Sequence, residues 1–221
     1  MAKLNIYCTT IRHLDLLERL PSYIKPLGLG NTIYPYHWLT DKVGTNISEL
    51  NKYYGEATGF YWVWKNKLNG LSDNDWIGSC HYRKLWLNNL YEEKQKITTN
   101  SLYSKLLKAN NEIFINNDVI QVQPIFLKNE TILQQFEKVH KSKVLESCIN
   151  FLEAKERNQF KDYLNGNKLC CLNMFITRVH LYKKYCEVLF PWLEKTLEYC
   201  LKNDLCKDYN TRLPAFLAER F

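Results

Sequence analysis

The chain has 221 residues, 46% hydrophobic and 24% charged, with a formal charge of +7. That length fits a single domain, residues 1–221, whose core can be buried without covalent staples, and the apolar content excludes extensive disorder. The basic residues are scattered and form no Arg-rich or zinc-finger segment. That argues against sequence-specific nucleic-acid binding and leaves two readings of the charge, anionic partners or a solvated lysine-rich surface.

In chain order, Leu4–Cys8 reads as a first strand that delivers Thr9 and Thr10 to a polar loop at its carboxyl edge. Residues 21–51, dotted with Pro, Gly and Asn, read mostly as loop. Ala57, Phe60, Tyr61 and Trp64 share a helical face within Glu56–Asn66. Asp73-Asn74-Asp75 then turns the chain into a second strand, Trp76–Cys80, which delivers His81-Tyr82-Arg83.

Residues 101–109 look helical, and 112–123 hold one or two strands broken at Asn116-Asn117-Asp118. Helical periods cover Thr131–Val139 and Ser142–Leu164, the second ending at Asn165-Gly166-Asn167. Lys168–Thr177 is the best strand of the second half. Leu181 onward is helical with an interruption at Pro191, and a last helix begins near Thr211. Strands alternating with helices predict an α/β domain with a mixed central sheet.

Eight cysteines without CxxC spacing, two of them adjacent as Cys170-Cys171, do not look like a disulfide framework or a zinc site. Lys3, Arg12 and Asp15 interrupt any signal-peptide core, and no apolar run reaches the ~18–20 residues of a membrane span. The chain therefore reads as soluble, reduced and intracellular.

The familiar catalytic motifs are absent: no GxGxxG, Walker lysine loop, GxSxG or HExxH. His13, His37, His81, His140 and His180 lie far apart, and a lone histidine is more often structural than catalytic. His81 differs because it stands just past a buried strand, beside Tyr82 and Arg83, where α/β sheets bind ligands. An arginine there can grip a diphosphate with its planar fork, or pair with a surface carboxylate. The Gly44–Asn51 loop suits phosphate or sugar contacts, or a turn before the next helix. Tyr61-Trp62-Val63-Trp64 suits core packing better than sugar stacking.

Four blocks bear a resemblance: GTNISELNKYYGEATGFYWVWKN, DWIGSCHYRK, CCLNMFITRVHLYKKYCEVLFPWLEK and RLPAFLAERF. Together and in this order they resemble a family of bacterial glycosyltransferases of capsule and O-antigen synthesis, formerly filed as a domain of unknown function. The resemblance implies a GT-A-like nucleotide-sugar-binding fold and transfer of a sugar to a hydroxyl of a growing capsule or lipopolysaccharide glycan. The implied donor is a UDP-hexose, UDP-galactofuranose for some relatives; the acceptor is lipid-linked or an oligosaccharide. It places the enzyme in the cytoplasm, with peripheral association at the inner membrane's cytoplasmic face allowed, and without nucleic-acid partners.

Carried over by position, Thr9, Thr10 and the Asn46–Asn51 loop, with Asn46, Ser48 and Asn51, look like the donor side; Tyr82, Arg83 and Asn173 are counted with them, and His140 is a candidate base or phosphate ligand, or only a bridge between two helices. Asp118, Glu219 and Glu56 are the candidate bases, with His81 a further catalytic candidate. The His81-Tyr82-Arg83 strand end lacks the Asp-x-Asp that holds metal in many GT-A enzymes, so the expectation is catalysis without a metal or other cofactor, with cationic side chains stabilising departing UDP. Thr45 stands where the family commonly has Asp, Lys84 where a second Arg is usual, and the chain stops at Phe221 where relatives typically continue. These departures motivate the alternatives of a trimmed C-terminus and of a catalytically weak module that binds glycan or nucleotide sugar in an assembly complex.

Overall fold

The computed structural model describes residues 2–88 and 99–221. Leu4–Thr10 forms β1, buried almost throughout as a central strand covered on both faces should be. The short helix α1 (Asp15–Glu18) leads to β2 (Ile24–Gly28), which runs parallel to β1 with Ile6 opposite Ile24 and Thr10 opposite Gly28. The expectation of loop over 21–51 is corrected here. Ile24, Leu27 and Gly28 are buried, and Lys25 and Pro26 mask the apolar alternation that marks a strand.

Leu39–Thr40 (β3) pairs only with Leu27–Gly28 of β2. The half of β2 before Leu27 is thus a sheet edge. Leu29 donates its N–H to Thr10 on β1, so odd-numbered donors of β2 face inward and even-numbered positions, Pro26 among them, face that edge. Helices α2 (Asn51–Tyr54) and α3 (Ala57–Asn66) precede β4 (Trp76–His81), which lies parallel to β1 on its other side. Helix α4 (Thr99–Lys105) follows.

Residues 112–123 divide into a 3-10 turn, Glu112–Phe114, and the strand β5 (Val119–Gln121). The turn wins over a strand because the Asn111 side chain accepts the Ile113 N–H. After β6 (Ile125–Phe126), α5 (Ile132–His140) starts at a full capping box in which Thr131 and Gln134 satisfy each other's backbone N–H. The predicted helix over 142–164 is two helices, α6 (Val144–Cys148) and α7 (Ala154–Leu164), separated where Leu152 and Glu153 become extended. The predicted strand over 168–177 is likewise two: β7 (Lys168–Leu169) pairs with β6, whereas β8 (Phe175–Arg178) inserts antiparallel between β4 and β5.

Helix α8 (Val179–Lys202) runs unbroken through Pro191, against expectation. Pro191 itself faces outward, while Tyr182, Cys186, Leu189, Phe190, Trp192, Leu193 and Leu197 are buried along the same helix. Burial of that stripe outweighs the ~3 kcal/mol a proline costs inside a helix. A 3-10 turn, Asp208–Arg212, leads into α9 (Leu213–Ala218).

The central sheet has the order β3-β2-β1-β4-β8-β5, mixed because only β8 runs against the others. One face carries Tyr7, Leu27 and Ile77 under α3 and α8; the other carries Ile6, Cys8 and Ile176 with Leu17, Trp38 and Leu107. Gly78 lets β4 and β8 approach, since a Cβ there would lie 2.8 Å from the Phe175 carbonyl oxygen. Tyr61 and Trp64 pack on Phe190 of α8, with ring centroids 5.0 and 5.7 Å apart, so this aromatic run is core. All eight cysteines are free thiols. Among the described residues, no helix is long and apolar enough to cross a membrane.

Candidate functional site

The parallel strands β1 and β4 end side by side, Thr9 opposite His81, and their carboxyl ends open into a cavity of about 140 Å³. Thr9, Thr10, Asn51, Glu56, His81, Tyr82 and Arg83 all line it. Residues scattered over 75 positions are thus gathered at one sheet edge, as expected for ligand sites in open α/β sheets.

The loop after β4 is a tight turn: His81 and Lys84 exchange backbone hydrogen bonds of 3.0 and 2.8 Å, which pushes Tyr82 and Arg83 outward. The Tyr82 ring lies between two guanidiniums, 5.1 Å from Arg12 and 5.2 Å from Arg83. His81 instead points inward. Its Nε2 donates to the Leu172 carbonyl, and its Nδ1 lies 3.1 Å from the Thr9 hydroxyl. A carbonyl only accepts, so Nε2 carries a proton and both ring nitrogens are engaged within the protein. His81 therefore ties the Leu172 loop to β1, with its Nδ1 turned to the Thr9 hydroxyl.

The loop that His81 grips, 170–174, holds two consecutive non-glycine residues in the left-handed region, Leu172 at φ 79° and Asn173 at φ 50°. Such backbone persists only where its surroundings over-determine it. Here Leu172 N–H donates to Glu219 Oε1 at 2.8 Å, and the Asn173 carbonyl accepts from the Ser79 hydroxyl at 2.8 Å. Asn173 Nδ2 donates to Glu56 Oε1 at 2.9 Å.

Glu56 joins α2 to α3. Besides Asn173 it faces Arg212, whose guanidinium is 3.8 Å from Oε2. Gly55, at φ 53°, makes this approach possible, because a Cβ there would collide with the Arg212 guanidinium. Arg212 lines the same cavity as Arg83. Sequence reading missed it as a site residue; its place as the first residue of the RLPAFLAERF block was the available signal. Asn51 is fixed by Nδ2 hydrogen bonds to the Gly55 carbonyl at 2.9 Å and the Thr58 hydroxyl at 3.1 Å. Thr58 in turn donates to buried Asp41, 2.7 Å away. Burial pushes the Asp41 carboxyl up, against the Thr58 hydrogen bond and the Lys42 charge.

Asn173 also borders a second cavity of about 230 Å³, walled by Tyr163, Tyr185 and Phe221, with Glu219 at its side. Both Glu219 oxygens are occupied, Oε1 by Leu172 and Oε2 by Arg220 at 2.8 Å. The Cys170 and Cys171 thiols on its rim are pushed up by burial, Cys171 also by the Glu219 charge.

Four expected site residues lie elsewhere. Asp118 precedes β5 and receives the Arg178 Nε–H at 3.3 Å. Arg178 pairs with Trp76 at the start of β4, which puts this ion pair at the opposite sheet edge, about 16 Å of strand from His81. Asn46 and Ser48 form an Asx turn, Asn46 Oδ1 accepting from the Ser48 N–H at 3.2 Å and from its hydroxyl at 2.9 Å, and do not line the cavity. His140 is buried among the rings of Phe136, Tyr209 and Phe216. Among the described residues, no three His, Cys, Asp or Glu side chains converge as a metal site.

The family described as a domain of unknown function, DUF4422, matches residues 5–221. The chain belongs to this family. A search of curated proteins found no match. A solved structure described as the apo form of the bifunctional glycosyltransferase WbbM is similar, with a TM-score of 0.74 and 20% identity. The match covers 99% of this chain and 41% of the other, so the DUF4422 domain described here spans about two-fifths of that chain's length. At that identity the likeness shows a shared mixed α/β fold.

Proposed function

We propose that this DUF4422 chain is a glycosyltransferase that moves a sugar from a nucleotide-diphosphate donor, a UDP-hexose, to a hydroxyl of a growing capsule or lipopolysaccharide glycan. The observation that carries this reading is the position of Glu56, which lines the cation-rimmed cavity at the ends of β1 and β4 and is hydrogen-bonded to Asn173, a residue that borders the aromatic-walled cavity. The fold shared with a glycosyltransferase chain adds support.

In this reading the diphosphate lies against Arg83 and Arg212, and the acceptor glycan lies against Tyr163 and Tyr185, with sugar faces suited to those rings. The acceptor oxygen attacks the anomeric carbon as the bond from that carbon to the diphosphate oxygen breaks. The electron pair leaves on UDP, and the acceptor proton passes to a carboxylate. Glu56 is better placed to take it than Glu219, because Glu56 Oε2 has only a 3.8 Å approach from Arg212 whereas both Glu219 oxygens are tied. The arginines stabilise the charge that develops on the leaving group, and the reading does not call for a metal.

The test is incubation of the folded chain with UDP-glucose, UDP-galactopyranose and UDP-galactofuranose, with Mg²⁺ or Mn²⁺ and with chelator, followed by donor hydrolysis and saturation-transfer NMR. Donor binding and turnover, both weakened by Arg83→Ala, are expected, and chelator should leave them intact. Binding of none of these donors in any condition would overturn the reading. Binding without turnover, unaltered in Glu56→Gln and on adding acceptor glycan, would instead identify a non-catalytic binding module.

A further inference from the structure

We propose that a third cavity, at the open edge of β2, binds a small organic phosphate monoester at a site separate from the one described above. This cavity measures about 410 Å³, larger than either cavity of the candidate site and within the roughly 300–1,000 Å³ usual for small-molecule pockets. It shares no lining residue with those two. It exists because β3 pairs only with Leu27 and Gly28, so the sheet is open before them and the cavity reaches both of its faces. Tyr7 and Lys25, opposite each other in register, line it from the face under α3; Leu17, Ile24 and Trp38 line it from the other. Lys25 stands about 10 Å of strand from Gly28, which lies opposite Thr10 of the strand-end cavity.

Two ammonium groups line this cavity without a counter-ion. Lys25 comes from β2 and Lys67 from the end of α3, and both are half-buried. Among the described residues, neither has a carboxylate within 4.0 Å. Lys25 Nζ donates to Asn5 Oδ1 at 2.8 Å and stands 5.9 Å from the Tyr7 ring centroid; Lys67 Nζ is 4.9 Å from that of Trp62. These neutral partners orient the ammoniums and leave their charge in place. Burial, then the Lys67 charge, pushes the Lys25 pKa down, a repulsion that a bound anion would remove. The carboxylate that lines the cavity, Glu18, is already committed. It accepts from His13 Nε2 at 3.0 Å, His37 Nε2 at 2.9 Å and the Trp38 indole N–H at 2.8 Å.

The number and kind of cations select the ligand. A phosphate monoester carries about two negative charges at neutral pH, which two ammoniums balance, whereas a single carboxylate would leave one of them unmatched. Lysines act on phosphate as point charges and need no planar fork. Glu18, hydrogen-bonded to Trp38 on the other sheet face, would repel a second phosphate, so the cavity suits a monophosphate and not the diphosphate of a sugar donor. Most of the remaining wall is apolar, and Leu17 and Trp38 offer an organic body a surface to pack against.

The experiment is calorimetric titration of the full chain with phenyl phosphate, glucose 6-phosphate and inorganic phosphate, joined to lysine acetylation by limiting anhydride read by mass spectrometry. At least one ester should bind saturably and more tightly than inorganic phosphate, and it should protect Lys25 and Lys67 from acetylation. Lys25→Gln/Lys67→Gln should keep its melting temperature and bind the ester at least tenfold more weakly. Lys67→Gln alone, which leaves the Lys25–Asn5 bond in place, should weaken binding at least threefold and carries the test if the double variant unfolds. Arg83→Ala should bind the ester as the wild type does. No binding of either ester by the folded wild type up to 10 mM, unchanged binding by the lysine variants, or inorganic phosphate binding as tightly as both esters would overturn the proposal. So would loss of binding in Arg83→Ala with Lys25 and Lys67 unprotected, because the phosphate would then sit in the strand-end cavity. Binding of UDP-sugars is read separately and depends on Arg83, so failure of this proposal is distinguishable from failure of the transferase reading.

Discussion

Asn173 Nδ2 donates to Glu56 Oε1 at 2.9 Å, across 117 positions of the chain. The bond ties the loop before β8 to the junction of α2 and α3, and it links a carboxylate of the strand-end cavity to a residue bordering the aromatic-walled one. If Glu56 takes the acceptor proton, Glu56→Gln should cut turnover by about 10²-fold or more while leaving the melting temperature nearly unchanged, since the amide retains an oxygen for Asn173. Asn173→Asp keeps the size and the left-handed tolerance of the position but sets a second carboxylate against the first. Proton uptake by the pair should then occur at higher pH, and the acid limb of the pH–rate profile should shift upward. Transfer assays from pH 5 to 9 on both variants check this; an unshifted limb would remove Glu56 from the reaction.

Asp118 was an equal candidate on sequence, and its position predicts the opposite behaviour. Asp118→Asn should leave transfer within about twofold of wild type. Asp118 is 71% exposed, and the half-buried Arg178 keeps its hydrogen bonds to the Asn74 and Phe114 carbonyls, so losing the pairing should cost no more than about 1 kcal/mol. Steady-state rates and urea unfolding on the same preparation measure both quantities.

His140 should impose a pH dependence on stability. Burial, then the neighbouring Arg220 charge, holds its pKa down at about 4, against about 6.5 for a free imidazole, although the Asn210 contact opposes this. The unfolded chain therefore takes up a proton first. The contribution is complete above about pH 6.5 and is lost as pH falls towards 4, by an amount on the order of 3 kcal/mol. His140→Phe, which keeps the ring among Phe136, Tyr209 and Phe216, should flatten this part of the curve. Urea unfolding at pH 7 and pH 4.5 tests it, and equal slopes for the two proteins would count against the assignment.

Asp41 carries the reverse sign. Burial raises its carboxyl pKa above the usual range, so the folded state binds the proton more readily than the unfolded chain. The charged form strains the fold at neutral pH and is relieved in acid. In Asp41→Asn the amide can donate to the Thr58 oxygen while the Thr58 hydroxyl turns to the Gly55 carbonyl, 3.1 Å away. The variant should be more stable at pH 7 by about 1 kcal/mol, with the gain disappearing in acid. Thermal melts across that range read the sign directly.

Local signals account for much of what sequence reading recovered. A strand followed by two threonines, and a second followed by His-Tyr-Arg, point to a sheet edge because parallel strands deliver ligand-binding loops at their carboxyl ends. Thr9, Thr10, His81, Tyr82 and Arg83 do meet there. What escaped depends on partners distant in sequence. Nothing near Glu56 announces Asn173, and nothing near Leu172 announces a left-handed backbone held by Glu219 and His81. β2 escaped because a lysine and a proline stand where alternation would show it, and the break at Pro191 failed to appear because packing of α8 exceeds the local cost. His140 was drawn toward the site by its chemistry alone, while three rings keep it in the core.

The short pairing of β3 leaves the first half of β2 as a bare strand edge, the kind of surface on which one chain recruits another into a growing ribbon. Pro26 removes the donor that such a ribbon would need on that side, and Lys25 beside it adds a charge that repeated copies would stack upon itself. This edge is therefore self-limiting. Replacing Pro26 by valine, which keeps bulk and restores the N–H, would turn a silent border of the sheet into a seed for polymerisation.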